Sequence, residues 1–344
     1  MMDAATSTGQ TAVLQWLYDH PKNGGCTIEI AIEFAIRGGH LSAFQWLREH
    51  YEHLQADEPC SIVYDAIRNG HTDMVKFIFS HPQQYKIDFL LGIHTAASVG
   101  DLDMIQWLYA TWLRENYSER RIEFLINSAT RSGNLELIQW IHETRTEIYH
   151  SHADMGIAAE YGHLEIVKWL REHRPVGTLD TMDDAAREGH LEVVKWVHEN
   201  CSEAFSIEAM DLAAGRGHLD VVQWLHAHRS EGCTTCAMDQ AATNGHLDTV
   251  QWLHENRSEG CTFEAMEGAA TFGHFEILLF LHTNRTEGCP PNKIYGDAAC
   301  IENMEICQWL SEHYPDSVAI DQLREHVSYM SAVLDHILQL AGHE

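Results

Sequence analysis

The sequence lacks the features that mark membrane, secreted and nucleic-acid-binding proteins. No apolar run approaches the length of about eighteen residues that a membrane span needs, and the N-terminus has no basic start followed by an apolar segment. Lysine and arginine number 22 against 51 aspartates and glutamates, which gives a net charge of −29. This excess of acid disfavours nucleic acid and membrane surfaces as partners and favours a partner that carries positive charge.

Cysteine and the short catalytic motifs are also scarce. The nine cysteines are an odd number, and Cys233, Cys261 and Cys289 recur in register, which indicates packing positions and not a disulfide framework. The expected location is therefore the reducing cytoplasm, with the nucleus as the alternative. No Gly-rich dinucleotide motif, phosphate-binding loop or Gly-x-Ser-x-Gly motif is present, so no catalytic, cofactor-binding or metal-binding residue is assigned.

What the chain does contain is one string, Gly217 to His226 (GHLDVVQWLH), repeated along most of its length. Successive copies of its glycine are 27 to 33 residues apart. The glycine stands at positions 9, 39, 70, 100, 133, 162, 189, 217, 245 and 273. A period of this length, held over so many copies, predicts an all-α solenoid of stacked repeats and not a globular domain.

Each unit predicts two short helices joined by a tight turn. In residues 206–232, Ser206 is placed to cap the first helix, and its apolar residues recur every three or four positions. Gly217 should end that helix because glycine tolerates left-handed backbone geometry, and His218 opens the second helix. The predicted buried side of the second helix consists of Leu219, Val222, Trp224 and Leu225, with Val221 beside them.

The repeat pattern sets the expected domain limits. Residues 1–312 form the array, with a truncated first unit at 1–25 and about ten units over 26–312. Residues 313–344 carry apolar residues at helical spacing, which predicts one or two helices that cap the last unit. A coiled-coil partner site is the alternative for this segment.

The string Ala185 to Val194 (AAREGHLEVV) resembles the ankyrin repeat, and it recurs at 158–164 and 241–247. The period is about five residues shorter than the usual ankyrin unit, and the missing residues map to the connection that carries a β-hairpin in the family. The resemblance therefore implies short loops with little or no β-hairpin. The tryptophan seven residues after the glycine makes the chain similar to the large ankyrin-repeat families of oomycetes.

Histidine recurs in two registers. The motif histidines, which directly follow the turn glycine, would lie about 10 Å apart in a helical stack, too far apart to share a metal ion at about 2 Å. We expect them to brace the turn by hydrogen bonds, as in ankyrin-like turns. The second register (His142, His198, His226, His254 and His282) lies at helix C-termini, where positive charge compensates the helix dipole. We expect the motif histidines to be held neutral and to outweigh the second register, so that stability falls towards pH 5.

The residues five, two and one positions before each turn glycine vary in chemistry, while the alanines beside them mostly do not. Such a pattern is typical of a common scaffold with a tailored binding surface, although exposed positions that drift freely would give the same pattern. The candidate protein-binding residues are Phe34, Arg68, Tyr161, Asp184, Arg187, Leu212, Arg216, Gln240 and Phe272. The aromatic members are the preferred anchors.

These observations predict a non-enzymatic scaffold that binds another protein through the concave face of the solenoid, and the net charge favours a basic partner. No cofactor is implied, and the sequence assigns no oligomeric state. Two alternatives from other classes remain. One is a passive spacer or oligomerisation element organised by the C-terminal helix, and the other is a metal-responsive or redox-responsive protein that uses the histidines and cysteines.

Overall fold

A computed structural model describes residues 2–20, 28–51, 59–81, 89–113, 119–144, 153–173, 180–201, 206–289 and 304–314. Within these ranges every regular element is helical, so the all-α repeat fold is confirmed. None of the helices in them is both long and apolar enough to cross a membrane. The C-terminal cap is predicted almost wholly within residues 315–344, which lie outside the described ranges.

The chain divides into two compact units, Met1–Asp154 and Met155–Glu344. The first contains α1 (Met2–Ser7), α2 (Thr11–Asp19), α3 (Ile28–Arg37), α4 (Leu41–His50), α5 (Pro59–Arg68), α6 (Thr72–Phe79), α7 (Phe89–Ser98), α8 (Leu102–Leu108) with a π-helical turn at Tyr109–Leu113, α9 (Glu119–Ser132) and α10 (Leu135–Thr144).

The second unit continues the same alternation of helices. It contains α11 (Ala153–Glu160), whose first two residues precede the boundary, α12 (Leu164–His173), α13 (Asp180–Arg187), α14 (Leu191–Asn200), α15 (Glu208–Gly215), α16 (Leu219–His228), α17 (Thr235–Thr243), α18 (Leu247–Asn256), α19 (Phe263–Thr271), α20 (Phe275–Asn284) and α21 (Met304–His313). In both units, odd-numbered helices from α1 to α19 are the first helices of their repeats. Even-numbered helices, together with α21, are the second helices.

Small residues let the first helices pack closely. Ala213, Ala214 and Gly215 of α15 are all buried, and α15 makes extensive contacts with α13 on one side and α17 on the other. The second helices of the same repeats touch each other far less. The reason is side-chain size, because alanine and glycine allow the helix backbones to approach while the bulkier second-helix residues keep them apart.

The second helices bury a different stripe from the one that the sequence predicted, and Val221 is fully buried. In α16, Val222 and Leu225 are buried as expected, but Leu219 and Trp224 are only half-buried. The Trp224 ring stacks on His228 one turn later, with ring centroids 4.4 Å apart. The edge of His198, from the preceding repeat, meets it at 5.2 Å. The repeated tryptophan is therefore a surface packing residue between neighbouring repeats.

Candidate interaction surface

The turn between the two helices of each repeat depends on its glycine. Every motif glycine has a positive φ, for example +70° at Gly39 and +77° at Gly217, which confirms the predicted left-handed cap. A second constraint comes from the next repeat, because the His71 ring would lie 2.4 Å from a Cβ added at Gly39. His246 stands at the same distance from Gly217. The glycine thus accommodates both the backbone and the neighbouring ring.

The motif histidines brace the turns by hydrogen bonds, as predicted, but the bonds run to the previous repeat. Nε2 of His71 contacts the carbonyl oxygen of Arg37 at 2.8 Å, and Nε2 of His190 contacts that of Glu160 at 2.9 Å. Where the histidine is replaced by Asn134, its amide donates to the Gly100 carbonyl at 2.6 Å. These bonds stack successive turns in register, so the residues just before each glycine share one side of the unit.

A second link between repeats joins a buried aspartate to the cap of the next first helix. The Thr234 amide and hydroxyl donate to the two carboxylate oxygens of Asp211 at 2.8 and 2.6 Å. Thr262 contacts Asp239 in the same way at 2.7 and 2.9 Å. The Thr234 hydroxyl also accepts from the Cys236 amide at 3.1 Å, so one side chain caps α17 and holds it against α15.

The connections between repeats place an arginine beside two members of the second histidine register. Nη1 of Arg257 lies 3.1 Å from Nδ1 of His226, and Nη1 of Arg229 lies 3.2 Å from Nδ1 of His198. Arginine can only donate, so these histidine nitrogens accept in both contacts. An arginine thus also supplies positive charge at these helix ends, and charge compensation by the second histidine register stays a prediction.

With this geometry in place, comparison with known families identifies the repeat. Residues 182–267 match the family model of ankyrin repeats in three copies. These residues are ankyrin repeats. No curated protein matches the chain. Ankyrin repeats are generally protein–protein interaction modules, and the proteins that contain them are typically non-enzymatic scaffolds.

The candidate binding residues lie at the surface in varying degree. Phe34, Tyr161 and Phe272 are 37%, 44% and 64% exposed. Of the remaining six, the exposed members are Arg68, Arg216 and Gln240, and the half-buried members are Asp184, Arg187 and Leu212. Exposure of this kind is what a binding surface on ankyrin repeats requires.

The structure groups these residues in a way that the sequence did not. Phe34 and Arg68 belong to the first unit and the other seven candidates to the second, so the candidates fall into two sets, one in each unit. Nη1 of Arg187 contacts Oδ1 of Asp184 at 2.7 Å, so two candidates pair with each other. The Gln240 side chain would lie 2.6 Å from a Cβ at Gly215, which gives it a packing role between repeats.

Residues that link the ankyrin repeats were missed by sequence analysis. Asp211 and Asp239 are 28 positions apart, and a threonine follows each of them 23 positions later. That joint recurrence is the signal that could have identified the pairs. Neither aspartate was assigned a role from the sequence, and both are buried.

The cysteines of this region are poorly suited to redox chemistry. Burial raises the pKa of the Cys233 and Cys261 thiols to about 11, so both are protonated at neutral pH. Cys236 is exposed, whereas the other cysteines of described burial are buried or half-buried. Across the described ranges, no three side chains of histidine, cysteine, aspartate or glutamate are grouped so as to hold a metal ion.

Histidine and aspartate side chains in the repeats have opposite effects on stability as the pH falls. Burial, followed by the neighbouring His218 and His274, lowers the pKa of His246, so its contribution to stability is lost as pH falls below about 6.5. Burial raises the pKa of Asp211 and Asp239, so the contribution of these carboxyl groups to stability increases as the pH falls. The expected fall in stability towards pH 5 stays a prediction, and the aspartates act against it.

Replacing Asp183 by asparagine should stabilise the protein at neutral pH. Burial, aided by Glu208, raises the pKa of Asp183 to about 6, and its Oδ1 has no hydrogen-bond partner among the described residues. The ionised form is therefore disfavoured in the fold above pH 6. We expect Asp183→Asn to gain about 1–2 kcal/mol at pH 7.5, with the gain declining as pH falls through 6. Urea unfolding at pH 7.5 and 4.5 measures this, and a gain equal at both pH values would contradict it.

Proposed function

We propose that this chain is a non-enzymatic scaffold that binds a partner protein through the first-helix side of its ankyrin repeats, the concave face of an ankyrin-like solenoid. The first-helix side comprises the first helices and the ends that lead into the turn glycines. The observation that carries this proposal is the contrast between a constant buried frame and a varied exposed surface. Ala185 and Ala186 are fully buried, whereas Tyr161 and Phe272, directly before their glycines, are exposed.

Packing supports the choice of this side. First helices lie closer together than second helices in the second unit, so any curvature of that unit places the first helices on the inside. Aromatic and arginine side chains there are of the kinds that dominate binding energy at interfaces. On the second helices, by contrast, the Trp224 ring is already in contact with His228 and His198.

The charge of the chain points to a partner with a positive surface. With a net charge of −29, long-range attraction speeds encounter with a basic protein and weakens as salt increases. We place this interaction in the cytoplasm or nucleus. Binding that is insensitive to salt would count against the electrostatic part of this proposal.

Affinity capture with matched baits tests the proposed side. The wild-type chain serves as bait in a lysate of the source cells, beside a first-helix variant with Tyr161→Ala, Arg187→Glu, Arg216→Glu and Phe272→Ala. A second-helix variant, Gln223→Ala with Glu255→Ala, alters exposed residues of α16 and α18 and controls for surface change as such. Mass spectrometry then identifies the retained proteins.

We expect a protein that is retained by the wild type and the second-helix variant and lost from the first-helix variant. Circular dichroism and unfolding midpoints confirm that all three baits are folded. If the first-helix variant retains the same proteins as the wild type, the first-helix side is the wrong surface.

A further inference from the structure

One groove on the second unit is lined by acidic and aromatic residues. It is open, has a volume of about 440 Å³, and is lined by Glu160, Tyr161, Glu188 and His190. Two acidic residues and an exposed tyrosine thus line one space. Glu160 is the last residue of α11, Tyr161 lies in the turn after it, and Glu188 and His190 lie in the turn after α13.

The link between repeats builds this groove. The His190 ring lies against the backbone of Gly162, where an added Cβ would be 2.6 Å from the ring, and its Nε2 contacts the Glu160 carbonyl at 2.9 Å. The turn that carries Glu188 is thereby held beside the turn that carries Tyr161. Glu160 and Glu188 therefore line the same groove because of a framework contact that recurs along the chain.

The positions of these two acids are unfavourable for the helices themselves. Glu160 is the last residue of α11 and Glu188 directly follows α13, so each lies at the negative end of a helix dipole. In the other motif turns, from Gly9 to Gly273, neither of the two residues before the glycine is acidic. Helix stability therefore does not account for these acids, whereas a bound cation would be stabilised by both carboxylates and both helix ends.

No cation of the described residues neutralises the pair. The nearby Arg187 contacts Asp184 at 2.7 Å, and no described ion pair includes Glu160 or Glu188. The Tyr161 ring is 44% exposed. It lies roughly parallel to the His163 ring, with ring centroids 6.2 Å apart and an interplanar angle of 23°. An exposed aromatic ring beside two acidic residues suits a planar cation.

We propose that this groove, the acidic–aromatic groove, binds an arginine side chain of the partner protein. The proposal rests on the proposed function and names the chemistry of one contact within it. A guanidinium group can stack on Tyr161 while its fork of N–H groups donates to Glu160 and Glu188. A lysine ammonium offers neither the flat face nor the fork, so arginine is the preferred residue.

A labelled peptide titration tests the groove directly. The probe is fluorescein-labelled Ser-Gly-Arg-Gly-Arg-Gly-Ser, compared with the same peptide carrying citrulline or lysine at the arginine positions. Citrulline keeps the shape of arginine and removes its charge. Fluorescence anisotropy with the full chain gives each Kd. The groove variants are Glu160→Gln with Glu188→Gln, Tyr161→Ala and Tyr161→Phe. The charge-matched control is Glu255→Gln with Glu276→Gln on α18 and α20.

The expected result is a preference for arginine over lysine and citrulline, with Kd raised about tenfold by the double glutamine variant of the groove. Tyr161→Ala should raise Kd about threefold and Tyr161→Phe should leave it unchanged. The charge-matched control should change Kd less than about twofold. Unfolding midpoints of the groove variant should equal or exceed those of the wild type, because acids are removed from helix C-termini.

Equal weakening by the groove variant and its charge-matched control would overturn the proposal, since the whole acidic surface would then attract the peptide. Equal affinity for the citrulline peptide would overturn it as well. Either result leaves the proposed function standing if the first-helix variant still loses its partner in affinity capture. Failure of both experiments would reject the first-helix side as a whole.

Discussion

Gly39→Ala should destabilise the protein by about 2–4 kcal/mol, far more than the same change at Gly70. Both glycines have nearly the same φ, +70° and +73°. An alanine Cβ at position 39 would be 2.4 Å from Nδ1 of His71, whereas position 70 has no atom within 4 Å. The Gly39 variant is therefore destabilised both by its backbone conformation and by displacement of the His71 ring, which is hydrogen-bonded to the previous repeat.

Gly70→Ala is the matched control, with an expected loss of about 1 kcal/mol from backbone strain alone. The difference arises because Asp101 occupies the next motif-histidine position and accepts from the Met104 amide at 3.0 Å within its own helix. Urea unfolding monitored by tryptophan fluorescence compares the two variants. In a His71→Ala background, the cost of Gly39→Ala should fall to that of Gly70→Ala. Equal losses for the two single variants would show that the ring contact contributes nothing.

Asp239→Ala should cost about 2–3 kcal/mol by removing the link between α17 and α19. Thr262 would lose acceptors for both its amide and its hydroxyl, which lie 2.7 and 2.9 Å from the carboxylate oxygens. Part of the loss is offset, because burial raises the pKa of this carboxyl and its charge is unfavourable in the fold.

The conservative variant Asp239→Asn separates geometry from charge. Asparagine keeps one acceptor oxygen for the Thr262 amide and carries no charge, so we expect a loss below about 1 kcal/mol. Chemical unfolding of both variants at pH 7.5 provides the comparison. A cost for Asp239→Ala no larger than for Asp239→Asn would show that the paired hydrogen bonds do not hold the repeats together.

Local chemistry explains what could be predicted from the sequence. The glycine at each turn, the Ser206 side chain before α15 and the alanine stripe of the first helices act within a few residues of one another. The Ser206 hydroxyl accepts from the Glu208 amide at 2.8 Å, as its position before the helix predicts. Helix pairs, turns and the repeat fold follow from such short-range patterns, and all were predicted.

Contacts between repeats explain what could not be predicted. His71 and Arg37 are 34 residues apart, and Asp211 and Thr234 are 23 apart. The sequence shows that each residue recurs, but only the stacking of repeats reveals which partner it meets. For the same reason the exposed Tyr161 was predicted as an anchor, while its shared groove with Glu188 depends on His190 and emerged only from the structure.

The most direct test of the account is an isothermal titration of the partner recovered by affinity capture. The partner is titrated into the wild type, the first-helix variant and the second-helix variant at physiological salt. We predict that the first-helix variant raises Kd at least about tenfold and that the second-helix variant changes it less than about twofold. The reverse order, with affinity lost only in the second-helix variant, would contradict recognition through the first-helix side.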